Sequence, residues 1–443
     1  MTEGSISKKI LLFALPVFLG QLLQQLYNVV DSIIVGNFLG KDSLAAVNSS
    51  GSLIFLMVGF ITGLFMGMGI IIGNRYGAKD YEAVKTATHT GIAFGLLMGI
   101  TLMVIGVTLS PVILRLMGTP EDVLPLSTTY LRIYFLGGLG NVMYATCCGI
   151  FQAMGDSKRP LYYLCVSAAT NTALDLLFVA VFNMGVAGAA FATILAQYLS
   201  AGLAFHKLTK VDGPHRVYIK KIRFDKATLK QELRLGVPTG IQNSVIAIAN
   251  VVVQSNINAF GSIAMAGCGC YFKLEGFAFL PITSFCSAIT TFTSQNLGAG
   301  QFKRAKKGAL FGISGGVAAS EIIGITLYIG CPLFLKMFSK DPEVLSYGIL
   351  QSRTEALFFC LLAFSHCMAA VLRGAERTKV PMYVMLGCWC VFRITYITLA
   401  VKYFPVIRTI FWAYPITWSL SSIFFSIYYA KEKIFEEKPL VIK

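Results

Sequence analysis

Long apolar runs alternate with short polar segments along the whole chain. Twelve of these runs have the length of about 20 residues that an α-helix needs to cross the hydrocarbon core of a bilayer. Because backbone groups cannot stay unpaired in lipid, we predict that each run forms a closed helix. The runs cover residues 10–38, 45–73, 90–114, 128–151, 162–182, 187–206, 236–260, 265–294, 308–334, 343–371, 382–401 and 410–430.

The first run carries polar residues that are spaced three or four positions apart and therefore share one face of a helix. These residues are Gln21, Gln24, Asn28 and Asp31, with Tyr27 one turn before Asp31. A carboxylate in hydrocarbon costs about 2.5–3.5 kcal/mol on insertion scales, so Asp31 must face protein or a water-filled cavity. Pro16 removes one backbone donor and can kink the helix. The run therefore predicts a bending helix that carries an ion site.

The chain also repeats itself. The segment NRYGAKDYEAV at 74–84 is similar to QNLGAGQFKRA at 295–305, a separation of 221 residues, and Pro16 precedes Pro238 by 222. Each half then holds six spans, and the halves are parallel because six is even. Such duplication, with a central cavity between the halves, is typical of a transporter.

The repeat divides the chain into three predicted regions. Residues 1–206 form an N-terminal lobe of helices 1 to 6 with the ion-coupling site, and residues 235–443 form a C-terminal lobe of helices 7 to 12 with a short cytoplasmic tail. Residues 207–234 between them are rich in lysine and arginine, and we interpret them as a cytoplasmic linker. The fold class that follows is an all-α integral membrane protein.

Composition and charge agree with a membrane protein. Hydrophobic residues make up 56% of the 443 and charged residues only 13%, which excludes a soluble domain and a disordered chain. We interpret the net charge of +16 as positive charge on the cytoplasmic side, not as nucleic-acid binding. With both termini in the cytoplasm of a multi-pass plasma (inner) membrane protein, the outer loops hold only Lys41, Arg115, Arg132, Lys336, Lys340, Lys402 and Arg408.

Acidic residues inside the runs are the main candidates for chemistry. Asp31 on span 1 and Asp175 on span 5 lie in the same half, and Asn171 is one turn before Asp175. Two carboxylates in one dry pocket repel each other when both are ionised, so one of them can load and release a proton. With the hydroxyl of Thr193, the same groups could instead offer oxygen ligands to a small cation. A purely structural role for both acids is the remaining alternative.

The second half carries further ionisable residues. Glu275 either contacts a cationic substrate or belongs to a structural ion pair, and Arg353 and Glu355 pose the same question, unless both lie in the outer headgroup region. Arg393 on span 11 is a candidate partner for Glu275 or Glu355, and no role follows for Glu321. The substrate-cavity candidates are Gln24, Asn28, Glu275, Arg353 and Glu355.

Other chemical signals are weak. Eleven cysteines are scattered through the apolar runs, where they are interpreted as small packing residues. The lone His366 lies on an apolar face, where packing is more common than catalysis. The sequence contains neither a P-loop nor a nucleophile–base signature, which argues against a self-contained ATP-driven pump and against an enzyme.

On these residues the chain resembles the multidrug and toxic compound extrusion (MATE) family of secondary transporters. The resemblance covers about residues 5–430. It is carried by ALP…YNVVDSIIVG (14–36), GNRYGAKDYEAV (73–84), FQAMGDSKRP (151–160), NTALDLLF (171–178), TTFTSQNLGAGQFKRA (290–305) and LRGAERTKVP (372–381). It implies twelve helices in a V-shaped, two-lobed molecule that exports amphiphilic, often cationic compounds in exchange for H+ or Na+.

The resemblance also implies an ion site. The N-terminal site of the family's DNA-damage-inducible branch is matched here by Tyr27, Asp31, Asn171, Asp175 and Thr193, of which Asp31, Asn171, Asp175 and Thr193 would be the metal ligands if Na+ is the coupling ion. Pro16 stands where that branch has a proline that bends helix 1. The branch with an acid in helix 7 is not matched, because residues 236–253 carry no carboxylate. We expect a monomer with no cofactor beyond the coupling ion.

A lipid flippase is the alternative function. A flippase for lipid-linked saccharides or another lipid shares the two-lobed layout, but its cavity tends to be cationic. Lys273, Arg353 and Arg393 keep this alternative open, whereas the two acids Asp31 and Asp175 argue against it.

Overall fold

The computed structural model describes residues 1–116, 119, 121, 124–432 and 434–436. Within this range the side chains of residues 32–33, 35–37, 39–53 and 55 are not described. The described residues form helices and the segments that connect them, in agreement with the prediction that each apolar run is a helix.

The described residues of the first half form six helices. They are α1 (Ile6–Gly77), α2 (Tyr81–Leu116), α3 (Leu124–Leu136), α4 (Gly138–Ala153), α5 (Lys158–Asp175), which continues into a π-helical turn (Leu176–Val181), and α6 (Gly185–Lys210). The linker contains one 3₁₀ turn, Ile219–Lys221.

The part of the second half that the structure describes forms eight helices. They are α7 (Lys226–Asn258), α8 (Ser262–Gly298), α9 (Phe302–Leu335), α10 (Pro342–Glu355), α11 (Phe359–Gly374), α12 (Lys379–Met385), α13 (Arg393–Tyr403) and α14 (Ile407–Lys431). A 3₁₀ turn, Ala356–Phe358, joins α10 to α11, and a π-helical segment, Leu386–Phe392, joins α12 to α13.

The spans agree with the twelve apolar runs. By length and composition the described helices provide eleven candidate spans, and α3 with α4, bent by 46° at Gly137, provides the twelfth. The first two candidates, Ile6–Asp31 and Leu56–Gly77, belong to one continuous helical element, α1. Separate helices over 10–38 and 45–73 were the expectation, but the intervening KDSLAAV (41–47) contains several good helix formers.

The helices form two compact units that are described separately. One unit comprises Met1–Phe18 and Val237–Lys443, and the other comprises Leu19–Gly236. The predicted division of the chain, with lobes at 1–206 and 235–443 and a separate linker, therefore differs from the observed one at both boundaries. The start of α1 joins the second half, and the linker with the start of α7 joins the first.

Packing explains both reassignments. Ile10 and Phe13 at the start of α1 are buried against Ala288 and Phe292 of α8, so hydrophobic burial holds this segment in the unit of the second half. The linker is held by hydrogen bonds to the first turns of α2. The backbone N–H of Tyr218 donates to Nε2 of His89 at 3.0 Å, and that of Asp225 donates to Oγ1 of Thr90 at 3.3 Å.

Large apolar side chains remain exposed along the spans. On α9, Ile322, Ile329 and Leu333 follow one another at seven and four residues and share one exposed stripe. An apolar stripe of this kind is unfavourable in water and is the surface that a membrane span presents to lipid.

Candidate functional site

Three helices of the Leu19–Gly236 unit bring the predicted ion-site residues together. Tyr27 and Asp31 lie on α1, Asn171 and Asp175 on α5, and Thr193 on α6. Asp175 is the last α-helical residue before the π-helical turn Leu176–Val181. Such turns interrupt the regular backbone ladder and are common at functional sites.

Hydrogen bonds hold Asn171 and Thr193 in place beside the carboxyl groups. The side-chain amide of Asn171 donates to Oγ1 of Thr193 at 3.4 Å, and the Thr193 hydroxyl donates to the carbonyl of Ala189 at 3.0 Å. The hydroxyl of Tyr27 also lies within hydrogen-bonding reach of Thr193. Asn171 and Asp175 are each only 1% exposed. The five side chains that the resemblance implied are therefore neighbours in the folded chain.

Among the described side chains, the two carboxyl groups face each other without a counter-ion. Asp31 and Asp175 lie within hydrogen-bonding reach of one another. Among the described residues, no hydrogen-bond donor reaches Oδ1 of Asp31 or either oxygen of Asp175, and Oδ1 of Asn171 is likewise buried without a partner. Two carboxylates this close cannot both stay ionised in a buried site unless a cation joins them. The arrangement suits one shared proton or a small cation that prefers oxygen ligands.

Two tyrosines of α3 belong to the same neighbourhood and were not predicted. Tyr130 is 5% exposed and lies close enough to Asp31 to interact with it electrostatically. Tyr134 stacks on Tyr130 with ring centroids 6.3 Å apart, and its hydroxyl reaches Gln197 and Asn141. The i, i+4 spacing of the tyrosines was visible in the sequence, but not the face of α3 that meets α1.

The remaining predicted residues of span 1 lie elsewhere on α1. Pro16 is buried and precedes by two residues the point at which α1 passes from one unit to the other. Gln24 and Asn28 are exposed, whereas Asp31 is partly buried, so the predicted polar face divides into an exposed and a buried part. Gln24 and Asn28 remain substrate-cavity candidates.

A second acidic cluster lies in the other unit. Glu275 on α8 and Glu355 at the end of α10 are 6% and 0% exposed and interact electrostatically with each other and with Arg393. The side-chain amide of Gln351 donates to Oε1 of Glu355 at 3.1 Å, while Oε2 has no partner among the described residues. Glu355 is thus fully buried within its unit.

Arg393 is enclosed by polar and aromatic groups. Its guanidinium donates to Oγ1 of Thr417 at 2.8 Å and to Oδ1 of Asn250 at 3.4 Å. It also lies 4.6 Å from the ring centroid of Tyr414 and 5.3 Å from that of Trp389. Arg393 directly follows the π-helical segment Leu386–Phe392, much as Asp175 directly precedes another. It therefore places a fixed positive charge close to the two glutamates.

Other candidates of the second half have separate environments. Arg353 is exposed because it is two residues from Glu355 and so points to another side of α10. Lys273 is also exposed, and its ammonium lies 5.6 Å from the ring centroid of Phe338. Glu321 accepts a hydrogen bond from the backbone N–H of Cys360 at 2.8 Å, which caps the first turn of α11.

His366 lies among aromatic side chains, and the cysteines form no disulfides among the described residues. His366 packs edge-on between the rings of Phe279 and Trp389, with centroid distances of 5.9 and 5.2 Å. The eleven cysteines are free thiols. No group of three or more His, Cys, Asp or Glu with metal-binding geometry occurs among the residues that the structure describes.

Comparison with known proteins identifies relatives along the chain. The sequence profile of the MatE family matches twice, at residues 16–177 and 238–399, so each half of the repeat matches separately. The probable multidrug resistance protein YpnP of Bacillus subtilis is 28% identical over 398 residues, covering 88% of this chain and 87% of its own. The probable multidrug resistance protein YoeA of the same organism is 30% identical over 392 residues, covering 87% and 85%.

Solved structures share the fold. A crystal structure of a MATE protein in complex with MaL6 superposes with a TM-score of 0.90 at 22% identity, over 96% of both chains. A MOP superfamily transporter from Pyrococcus furiosus, described as having a binding pocket of reverse polarity that suggests a different function, gives a TM-score of 0.92 at 21% identity over 98% of both chains. These similarities confirm the predicted all-helical transporter fold.

Proposed function

The chain belongs to the MatE family of multidrug and toxic compound extrusion transporters, and on this basis we propose that it is a secondary active efflux antiporter. It exports amphiphilic, often cationic organic compounds in exchange for H+ or Na+. The observation that carries this proposal is the buried pair Asp31 and Asp175, which faces no counter-ion among the described residues. The substrate class is supported by the relatives that are named multidrug resistance proteins.

The coupling ion exchanges at the carboxyl pair. A proton shared by Asp31 and Asp175 removes the repulsion between them, and Na+ held with Asn171 and Thr193 would do the same. Loading the pair lets α1 repack and bend at Pro16, which lies near the boundary between the two units. Ion and drug need no common atoms, because opposed preferences for two states of the protein are enough to couple them.

The proposed setting is a plasma (inner) membrane. The protein acts there as a monomer, with both termini in the cytoplasm. Its partners are the lipid bilayer and small amphiphilic molecules, and it uses no nucleic acid and no cofactor other than the coupling ion. The positive charge of the segments predicted to be cytoplasmic supports this orientation.

Ethidium efflux from proteoliposomes tests the proposal, with H+ and Na+ gradients imposed separately. We expect one of the two gradients to drive efflux by the unaltered protein. The variants Asp31→Asn and Asp175→Asn should each reduce gradient-driven efflux by about 100-fold, because they remove the charge that the ion must neutralise. Asp212→Asn, an exposed aspartate of the linker, is the matched control and should keep full activity.

The outcome also separates coupling from folding. Each variant is checked for a monodisperse elution profile before reconstitution, so that loss of efflux reports on the ion site. Full gradient-driven efflux by Asp31→Asn would show that the carboxyl pair is not the coupling site.

The flippase alternative receives less support from the structure. Of the three basic residues that kept it open, Arg393 is enclosed by Thr417 and two aromatic rings, while Lys273 and Arg353 are exposed. They do not share the environment of a single pyrophosphate site. Transfer of a fluorescent lipid-linked saccharide across vesicles, without any gradient-driven ethidium efflux, would favour the alternative.

A further inference from the structure

A buried carboxyl group in the Leu19–Gly236 unit has no role in the coupling site. Glu232, in the second turn of α7, is 3% exposed. Neither of its carboxyl oxygens has a hydrogen-bond partner among the residues that the structure describes. An ionised carboxylate without a partner is strongly disfavoured in a protein interior, so the docked position suits the neutral form.

The helices around Glu232 meet at glycines. A Cβ atom at Gly67 of α1 would lie 2.3 Å from the backbone nitrogen of Gly236 and 2.6 Å from the carbonyl oxygen of Glu232. A Cβ atom at Gly91 of α2 would lie 3.7 Å from Oε1 of Glu232 and 2.1 Å from Sδ of Met68. The carboxyl group therefore lies against the glycine face of α2, and the backbone of α7 touches α1 at Gly67 without interlocking side chains.

The ionisable side chains of α2 nearest to Glu232 have partners of their own. On α2, Lys85 pairs with Glu82 at 2.6 Å, and Nδ1 of His89 lies 2.7 Å from the carbonyl of Lys85. Nε2 of His89 accepts the N–H of Tyr218 in the linker. The other basic residues nearby in the chain are Arg75 on α1, Lys79 in the turn before α2, and Lys230 and Arg234 on α7, and none of them forms an ion pair with Glu232.

The repeat supplies an internal control for packing. With the offset of 222 residues that relates Pro16 to Pro238, the counterpart of Glu232 is Ile10. Ile10 is 0% exposed and packs against Ala288 and Phe292 in the other unit. The same place in the repeated architecture is therefore filled by an apolar residue, and packing does not require an acid there. Unpaired buried acids of this kind are concentrated at functional positions.

We propose that Glu232 is a second proton-binding site, on the side of the unit where the linker lies, and that loss of its proton releases the start of α7 from α1 and α2. In the docked state the neutral carboxyl is buried beside Gly91. On release the proton goes to water, and the carboxylate leaves the glycine contact to be hydrated. Because α7 runs into the other unit directly after Gly236, the site controls a segment that links the two units.

The consequence for transport rests on the proposed antiporter function, but the docking equilibrium does not. Glu232 would report the pH of the compartment that faces the linker, which the charge distribution predicts to be the cytoplasm. An alkaline cytoplasm would then favour release of α7, and a more acidic one would favour docking. The carboxyl pair Asp31–Asp175 would remain the site at which the coupling ion binds and is released.

Hydrogen–deuterium exchange of the full-length protein in micelles tests the docking equilibrium. Labelling times are scaled to the intrinsic exchange rate at each pH, and the peptides read are 226–236 of α7 and 83–95 of α2. In the unaltered protein, protection of both peptides should fall about tenfold between pH 6 and pH 9, since local opening exposes their amides. In Glu232→Gln and Glu232→Ile, protection should stay high across this range.

The controls keep the proposal falsifiable. Glu232→Ile introduces the residue that the repeat itself uses, so it guards against a variant that fails to fold. Glu82→Gln removes an exposed acid of α2 and should keep the pH dependence of the unaltered protein. The same pH dependence in Glu232→Gln or Glu232→Ile, or none in the unaltered protein, would overturn the proposal. Loss of ethidium efflux in all proteins would instead count against the antiporter function and leave the exchange result standing.

Discussion

The two units of this chain each bury a pair of acids, but they balance the charge differently. In the Leu19–Gly236 unit, Asp31 and Asp175 face each other, and no lysine or arginine pairs with them among the described residues. In the other unit, Glu275 and Glu355 are accompanied by the buried guanidinium of Arg393. A duplicated helical plan therefore holds one acid pair that lacks a fixed counter-charge and one that has it.

This difference supports the proposal that ion exchange occurs at the first pair. A fixed cation cannot leave, so the charge of Arg393 offsets part of the negative charge in every state of the protein. The pair of Asp31 and Asp175 can be discharged only by an ion that comes from solution. Repulsion between the two carboxylates then returns whenever the ion leaves, which is the property that a coupling site needs.

The largest expected effect comes from giving the first pair a counter-charge of its own. Asn171→Lys would place an ammonium one turn before Asp175, and ion-driven ethidium efflux should fall at least about 100-fold because the pair no longer needs an external cation. Asn171→Leu removes the same amide without adding a charge, so it is the reference for the charge effect and should lose less efflux than Asn171→Lys. Retention of ion-driven efflux by Asn171→Lys would show that the absence of a fixed counter-charge at the first pair does not matter for coupling.

The converse change removes the counter-charge of the second pair. Arg393→Met should lower the free energy of unfolding by about 3–5 kcal/mol, because a buried ionic group is left without its partner. Unfolding in mixed micelles, followed by tryptophan fluorescence, measures the change. Adding Glu355→Gln should restore part of the loss, since it removes one of the uncompensated acids. Arg393→Met without any loss of stability would mean that the guanidinium does not balance the glutamates.

A smaller effect concerns the pH dependence of stability, which we assign in part to His215, a residue outside the carboxyl pair. Burial of His215 in the linker, helped by the positive charge of Arg159, lowers its pKa from 6.5 to about 4. The folded protein therefore resists a proton that the unfolded chain accepts. Stability is complete above about pH 6.5 and falls toward pH 4, by at most about 1.4 kcal/mol per pH unit.

The variant His215→Gln should lack this contribution, because glutamine does not titrate. Denaturant unfolding of both proteins at several pH values between 4 and 7 gives the difference in slope. Identical slopes in the two proteins would contradict the assignment. Efflux at the Asp31–Asp175 pair should keep its ion dependence in the variant, since His215 lies in the linker and packs on Phe151.

The sequence by itself determined the spans and the repeat, and its resemblance to a family named the five candidate residues of the ion site. Apolar runs of membrane length predict helices because an unpaired backbone is unfavourable in lipid, and this physical rule depends little on neighbours. Tyr27, Asp31, Asn171, Asp175 and Thr193 could be named from motif segments of the family, and the structure brings them together. The role of each in ion coupling remains a prediction.

Only the tertiary structure decided where the units divide and which charges meet. Helical periodicity shows which residues share a face, but not which helix that face contacts. For that reason helical periodicity could not show that Tyr130 lies beside Asp31, that Glu355 is fully buried, or that Arg393 is enclosed by Thr417 and Tyr414. The burial of Ile10 and of Glu232 at matching positions of the repeat likewise depends on contacts between residues distant in the chain, which only folding creates.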